Sequence, residues 1–119
     1  MTTAAASSRT LAHPEPEEIR LDAVLHALAD PMRMRIVRDL AKEEGAELAC
    51  SHFGLPVTKS TSTHHFRVLR ESGVIRQIYR GTAKLSVLRR DDLDALFPGL
   101  LDSVLAAAAR EAQRLGADG

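Results

Sequence analysis

The chain has 119 residues, a single cysteine and a formal net charge of zero. This length predicts one domain that can fold without a disulfide or a metal, and the lone Cys50 excludes an internal disulfide and favours a reducing cytoplasm. Aromatic residues are only 3% of the chain, so the core must be built mainly from aliphatic side chains, which suits packed helices. No apolar run approaches the ~20 residues of a membrane span, and we therefore expect no membrane partner.

The zero net charge conceals an uneven distribution. Residues 57–90 contain eight basic residues and one acidic residue, a charge of +7, and the rest of the chain carries −7. A basic surface of this kind attracts phosphate, and an acidic remainder limits indiscriminate binding. The distribution favours a nucleic-acid partner over an unevenly charged but merely solvated surface.

The first part of the chain contains two predicted helices. Residues 1–13 have no hydrophobic period and are predicted to form a flexible tail before a domain of residues 14–119. The spacing of apolar residues predicts a first helix over about 17–29. The second helix lies in "ADPMRMRIVRDLAKEEG", with Asp30 as its N-cap and Pro31 at the first helical position. Its arginines, Arg33 among them, lie off the apolar stripe.

A short helix and a longer, polar helix follow. The stretch "AELACSHFGLP" predicts a short third helix that ends at Gly54. Thr58 can cap a fourth helix over about 59–72, whose apolar side contains Phe66 and Leu69. The opposite side is polar, at positions spaced i, i+3, i+4 and i+7. These positions are Ser60, Thr63, His64, Arg67 and Arg70.

The hydrophobic period then changes to that of strands. The stretch "VIRQIYRGTAKLSVL" is rich in β-branched residues on either side of Arg80 and Gly81, and predicts a two-stranded hairpin over about 74–88. A last helix over about 91–115 follows, which Pro98 should break or kink. The apolar seam of this helix is typical either of packing within one chain or of a dimer interface.

Together these elements predict a mainly α-helical fold with a small β-hairpin, a winged helix-turn-helix whose helix-turn-helix spans about 46–72. An α-helix fits the major groove of duplex DNA, where Ser, Thr, His and Arg side chains can pair with base edges and phosphates. The predicted groove contacts are Lys59, Ser60, Thr63, His64 and Arg67. The predicted phosphate and wing contacts are Arg70, Arg76, Arg80 and Lys84.

Two stretches carry a resemblance to a known family. "LHALADPMRMRIVRDL" resembles "L-ALADPTRLRIL-L", and "STSTHHFRVLRESGVI" resembles "STVSHHLKVLREAGLV", both patterns of the ArsR/SmtB family of bacterial winged-helix repressors. The likeness covers about residues 25–88 and departs at Ser62, where the family usually has an apolar residue. It implies a homodimer, paired through the first and last helices, that represses transcription from an inverted-repeat operator in double-stranded DNA. The implied interface residues are Leu21, Leu93, Phe97, Leu101, Val104, Leu105 and Ala108.

The family resemblance also raises a metal-responsive alternative. Metal-sensing members carry paired cysteines in a pattern such as "ELCVCDL", where this chain has "ELACSH" and lacks the thiolate pair that soft ions need. Candidate ligands for nickel or zinc are Cys50, His52 and His13, and His26 is a further candidate. Such a site would make the protein a metal-responsive regulator that activates or represses. Without it, Cys50 is an inert core residue or a redox-sensitive thiol, and no cofactor is required for folding.

The two adjacent histidines do not point to catalysis. His64 lies on the polar side of its helix, as a candidate DNA contact, and His65 lies toward the core, as a packed and hydrogen-bonded residue. The chain has no Ser-His-Asp order, no Gly-rich phosphate loop and no metal triad at usable spacing, so we expect that it is not an enzyme. The remaining alternative to DNA binding is a winged helix used as a protein-interaction module.

Overall fold

The computed structural model describes residues 11–43, 47–49 and 53–116. Within these residues the chain forms five α-helices and three short strands, preceded by a 3₁₀ turn at Pro16–Glu18. The helices are α1 (Leu21–Leu28), α2 (Pro31–Lys42), α3 (Lys59–Glu71), α4 (Arg90–Leu96) and α5 (Leu100–Leu115). The strands are β1 (Leu48–Ala49), β2 (Ile75–Arg80) and β3 (Ala83–Leu88). This is the predicted winged helix-turn-helix fold, with β2 and β3 as the wing.

The chain divides between Arg89 and Arg90 into two compact units. The core of the first unit consists mainly of aliphatic side chains, as the low aromatic content predicted. Phe53 and Phe66 pack against each other with their ring centroids 5.4 Å apart. The aliphatic members of this core include Val24, Ile36, Val37, Leu40, Leu69, Val74 and Ile75, each no more than 1% exposed.

The three strands form one antiparallel sheet in the order β1–β3–β2. β2 and β3 are the predicted hairpin, in which Gln77 lies opposite Ser86. β1 pairs with the other edge of β3, so the helix predicted over this stretch is wrong at Leu48–Ala49. Pairing with β3 satisfies the backbone groups of β1 and outweighs the helical propensity of Ala, Glu and Leu. Residues 46 and 50–52 of that predicted helix lie outside the described residues.

The predicted first helix is interrupted near its start. Glu15 and Glu18 form a capping box that closes the 3₁₀ turn. Ile19 then leaves the helical conformation, with φ −74° and ψ 127°, and its side chain is only 8% exposed. α1 therefore begins only at Leu21. The prediction of a helix from residue 17 is wrong over this turn, because burying Ile19 outweighs the local helix signals.

The second unit consists of α4 and α5. Pro98 and Gly99 lie between the two helices, and Gly99 has a left-handed backbone with φ +80°. The predicted break at Pro98 is confirmed. Arg90 ties the start of α4 to α5, because its Nη1 donates to Oδ1 of Asp102 at 2.9 Å. None of the helices described is long and apolar enough to cross a membrane.

A buried arginine joins α1, α2 and α3. Arg33, on α2, is only 7% exposed, although its place off the apolar stripe gave no sign of burial. Its Nε donates to the Ala27 carbonyl at 2.7 Å, and its Nη2 donates to the His26 carbonyl at 3.3 Å. Both carbonyls lie in the last turn of α1, where intrahelical partners run out and a positive charge is favourable. Nη1 of the same guanidinium lies 3.2 Å from Nδ1 of His65, on α3.

His65 completes the connection to α3. A guanidinium only donates, so Nδ1 of His65 is the acceptor in this contact. His65 is 8% exposed, which confirms the predicted packed and hydrogen-bonded residue. Asp30 caps α2, as predicted, by accepting from the N–H of Met32 at 2.8 Å and from that of Arg33 at 3.1 Å. Its Oδ2 lies 3.8 Å from Nδ1 of His65, so the N-terminus of α2 adjoins the anchored histidine.

We expect the Asp30 carboxylate to stabilise the fold above about pH 4 and to lose this effect in acid. Partial burial opposes the shift, but hydrogen bonds from the backbone N–H groups of Arg33 and Met32 help to lower the pKa of Asp30 below its ordinary 3.8. A lowered folded-state pKa contributes stability that is present above the unfolded-state value and is lost as the pH falls through the folded-state value. Asp30→Ala, which removes the cap, should lower the free energy of unfolding by about 1 kcal/mol at neutral pH.

Urea denaturation of the wild type, Asp30→Ala and Asp30→Asn, from neutral pH into the acid range, measures this contribution. Asparagine keeps a capping oxygen but does not titrate, so it isolates the charge. The stability difference between the wild type and Asp30→Asn should shrink toward zero as the pH falls below 3.8. A difference that stays constant across the acid range would contradict this account.

Among the described glycines of the first unit, Gly73 is the position where an added methyl group meets a packed side chain. Its φ is +90°, and a Cβ built there would lie 2.6 Å from Cγ1 of Ile19. Gly73→Ala should therefore combine backbone strain of about 1–2 kcal/mol with an overpacking cost of about 1–3 kcal/mol. Gly99→Ala is the matched control, because its φ is +80° and nothing lies within 4 Å of its added Cβ. Thermal or urea unfolding should show the larger loss in Gly73→Ala, and equal losses would exclude the contact with Ile19 as the cause.

Candidate nucleic-acid interface

α3 presents one polar face to solvent while its other face is buried. His65, Phe66 and Leu69 form the buried side. The exposed side contains all five predicted groove contacts, Lys59, Ser60, Thr63, His64 and Arg67. Arg70, on the last turn of the helix, is half-buried. The two adjacent histidines thus separate as predicted, with His64 exposed and His65 inside.

A side-chain cap fixes the start of α3. Oγ1 of Thr58 accepts from the N–H of Thr61 at 3.2 Å, as expected for an N-cap threonine. Oγ1 of Thr58 also lies 2.9 Å from the Thr61 hydroxyl. The first turn of the helix, which carries Lys59 and Ser60, is therefore held in a defined geometry.

The wing carries the predicted basic residues in different settings. Arg76 is exposed on β2. Arg80 is also exposed, but its guanidinium binds the Glu47 carboxylate through two contacts, Nε–Oε1 at 3.2 Å and Nη2–Oε2 at 3.1 Å. Nζ of Lys84 lies 5.7 Å from the centroid of the Tyr79 ring. The carboxylate of Glu47 thus offsets part of the positive charge at the end of β2, next to the hairpin turn.

A buried polar chain links α3 to the sheet. Nη1 of Arg70 donates to Oε1 of Gln77 at 2.7 Å, and Nε2 of Gln77 donates to Oγ of Ser86 at 3.1 Å. Gln77 is 1% exposed and Ser86 is fully buried. The direction of the Arg70 side chain is therefore set by the sheet as well as by its own helix.

The segment before the 3₁₀ turn contacts the edge of β2. Nε2 of His13 accepts from the backbone N–H of Gln77 at 2.9 Å, and Nη1 of Arg89 donates to the Pro14 carbonyl at 2.9 Å. Partial burial lowers the pKa of His13 below its usual 6.5, and nearby arginines, including Arg89, lower it further. The predicted flexible tail therefore includes a residue, His13, that is held against the sheet, and residues 1–10 lie outside the described residues.

Sequence reasoning missed Gln77 as a functional candidate, although a signal was present. The strand alternates, with Ile75 and Gln77 buried and Arg76 exposed between them. A period of two therefore placed Gln77 on the inner face, where a polar group needs a partner. The contacts of His13 with Gln77 and of Arg89 with Pro14 join residues more than sixty positions apart. No local sequence pattern predicts such pairs.

The three predicted metal ligands are not brought together in the described part of the chain. Cys50 and His52 lie outside it, and the Nε2 lone pair of His13 accepts the hydrogen bond from Gln77. His26 is exposed on α1. Among the residues that the structure describes, no group of three or more His, Cys, Asp or Glu side chains could hold a metal ion.

The predicted interface residues differ in exposure. Leu21, on α1, is 46% exposed, and its neighbour Leu25 on the next turn is 44% exposed. Leu93 and Leu101 are buried within one chain, at 3% and 2% exposure, so they have little surface left for a partner. The other predicted members of the interface are half-buried: Phe97, Val104, Leu105 and Ala108.

Comparison with known proteins agrees with this architecture. A family model described as a helix-turn-helix domain matches residues 28–78. The chain is 32% identical over 83 residues, 68% of its own length and 82% of the relative's, to the uncharacterized HTH-type transcriptional regulator YceK of Bacillus subtilis.

Solved structures share the fold. A crystal structure of an ArsR family transcriptional regulator superposes with a TM-score of 0.57 at 21% identity, over 83% of this chain and 98% of that one. The transcriptional repressor BigR of Xylella fastidiosa superposes with a TM-score of 0.52 at 20% identity, over 82% of this chain and 97% of that one. These structures show that the chain shares the fold of an ArsR family regulator, and the match to YceK shows that the chain belongs to the helix-turn-helix transcriptional regulators.

Proposed function

We propose that the protein is a cytoplasmic, homodimeric repressor that binds an inverted-repeat operator in double-stranded DNA. The observation that supports this most directly is the exposed polar face of α3, whose opposite face is anchored by His65 to Arg33. A helix whose buried face is fixed in the core can enter the major groove without changing its own packing, and the groove is wide enough to admit it.

The side chains on this face suit the reading of base edges. Thr63 and Arg67 lie one turn apart and are exposed, so both can reach the floor of the groove together. Arginine pairs in a bidentate manner with guanine, and threonine contacts either base edges or the thymine methyl group. His64 adds a ring that can donate or accept. We assign the recognition of the base sequence to Thr63, His64 and Arg67. We assign contacts with the DNA backbone, which position the helix, to Lys59 and Ser60.

The basic residues of the wing suit the backbone of the flanking duplex. Arg76, Arg80 and Lys84 all belong to the hairpin, and none of them lies on α3. Phosphate contacts of this kind add affinity without sequence information and respond strongly to salt. The pair between Arg80 and Glu47 must open or shift when a phosphate approaches, which lowers the net gain from that contact.

Two further observations support the dimeric repressor. Leu21 and Leu25 leave a pair of large apolar side chains exposed on α1, and exposed apolar surface of this kind is typical of an interface. One structural neighbour is named as a transcriptional repressor. Two copies related by a two-fold axis would place their α3 helices about one turn of DNA apart.

Substitutions on α3 should relax sequence preference. With an operator selected from a random-sequence library, Thr63→Ala or Arg67→Ala should cost about 1–3 kcal/mol on the operator and much less on random DNA. Fluorescence anisotropy at fixed salt measures both affinities. Arg20→Ala is the control, because Arg20 is an exposed arginine that pairs with Asp22. Equal losses on both DNAs from Thr63→Ala and Arg67→Ala would remove these residues from the groove.

A substitution in the wing should behave differently. Arg80→Ala should weaken binding to the operator and to random DNA by similar factors, and should reduce the slope of log affinity against log salt by about one. The same anisotropy titrations, repeated over a range of salt concentrations, give this slope. An unchanged slope would show that Arg80 contacts no phosphate.

Charges on the proposed dimer surface should separate the subunits. Leu21→Glu and Leu105→Glu should each shift the protein from dimer toward monomer in sedimentation velocity, because a charge buried in an apolar interface is costly. Thr82→Glu, an exposed position at the hairpin turn, adds the same charge as a control and should leave the dimer intact. A wild-type protein that sediments as a monomer at micromolar concentration would overturn the proposed dimer.

A further inference from the structure

A cleft of about 140 Å³ opens between α3, the wing and the start of the described chain. Its lining includes three positively charged side chains, Arg67, Arg70 and Lys84, and no carboxylate among the described residues. Phe66 and Leu11 supply apolar walls. A water molecule occupies about 30 Å³ in the liquid, so this volume suits one group of a few heavy atoms rather than a large organic ligand.

The guanidinium of Arg70 is fixed in place and incompletely satisfied. Gln77 accepts from its Nη1 at 2.7 Å and is itself held by Ser86 at 3.1 Å. Nε of Arg70 is buried and has no hydrogen-bond partner among the residues that the structure describes. A buried donor without an acceptor is costly, so the contact with Gln77 is the described interaction that fixes the direction of the guanidinium where Arg70 lines the cleft.

We propose that this cleft binds a single tetrahedral oxyanion, a phosphate group, with Arg70 as the oriented ligand and Arg67 and Lys84 as supporting charges. The geometry of a guanidinium matches the oxygens of a phosphate, and charge-assisted hydrogen bonds of this kind are the strong ones. The phosphate has two possible sources, a phosphodiester of the bound DNA or a free phosphate. Only the first source rests on the proposed function.

Gln77 is the positioning residue of this site. Its side chain orients Arg70, while its backbone N–H holds His13 at 2.9 Å. Leu11, two residues before His13, forms one wall of the cleft. The segment of residues 11–14 therefore closes one side of the phosphate site. Gln77 holds this segment through His13 and also orients Arg70.

An isosteric substitution tests the site directly. Gln77→Glu keeps the size of the side chain and its acceptor for Arg70, but its carboxylate neutralises the guanidinium. Gln113→Glu, an exposed position on α5, makes the same change of charge elsewhere. Sodium phosphate is titrated against sodium chloride at constant ionic strength, and the side-chain Nε–H of Arg70 and the backbone N–H of Gln77 are followed by ¹H–¹⁵N NMR.

In the wild type and in Gln113→Glu, phosphate should produce saturable shifts of both signals. In Gln77→Glu, the apparent affinity for phosphate should fall at least tenfold while the rest of the spectrum shows a folded protein. If Gln77→Glu does not fold, Arg70→Lys is used instead, with Arg110→Lys, at an exposed position on α5, as its control, because Lys keeps the charge but not the planar fork. Saturation that is unchanged in the cleft variant, or shifts that do not saturate and appear equally at Arg76, would overturn the proposal.

A second arm distinguishes the two sources. Each phosphate of a selected operator is replaced in turn by a neutral methylphosphonate, and binding is measured with the wild type and with Arg70→Lys. A DNA source predicts one position in each half-site where neutralisation costs the wild type about tenfold and costs Arg70→Lys little. If no such position exists and free phosphate still saturates Arg70, the site takes a free phosphate. A protein that binds no DNA refutes the proposed function, and the titration with phosphate alone still decides the cleft.

Discussion

The arrangement of the first unit depends on the hydrogen bonds of one buried group, the guanidinium of Arg33. It donates to two carbonyls at the end of α1 and to His65 of α3, from a position on α2. A buried charge is tolerated only when its donors are satisfied, and these acceptors exist together only when the three helices are in their native positions. The same interaction therefore stabilises the fold and specifies it, since an alternative packing of α3 would leave Nη1 of the guanidinium without its partner His65.

This anchoring confines the packing contacts of α3 to one of its faces. His65, Phe66 and Leu69 hold α3 to the rest of the unit, so none of the side chains on its exposed face is needed for packing. Much of the family pattern "ALADP" and its arginine belongs to the anchoring part, where Asp30 caps α2 and Arg33 bridges the helices. In this chain the pattern therefore accounts mainly for the position of α3, and the side chains on the exposed face of α3 lie outside it.

A second buried polar side chain connects α3 to the wing. Gln77 contacts Arg70 of α3, Ser86 of β3 and His13 of the preceding segment, and it is 1% exposed. A side chain with so many polar contacts in a buried position cannot move without breaking several of them. Hydrogen bonds through Gln77 therefore connect the wing, the end of α3 and residues 11–14. A change in the position of Arg70 would disturb the contacts of all three.

The sequence by itself determined the elements whose signals are local. Asp30 and Thr58 cap helices as expected, Pro98 separates α4 from α5, and the polar spacing along α3 identified the exposed face. Only the tertiary structure decided the rest. Leu48 and Ala49 form a strand because they pair with the edge of β3. Ile19 leaves the helical conformation because burying its side chain stabilises the fold more than another helical turn would. Arg33, Gln77 and His13 acquired their roles from partners distant in sequence, and periodicity carries no information about such partners.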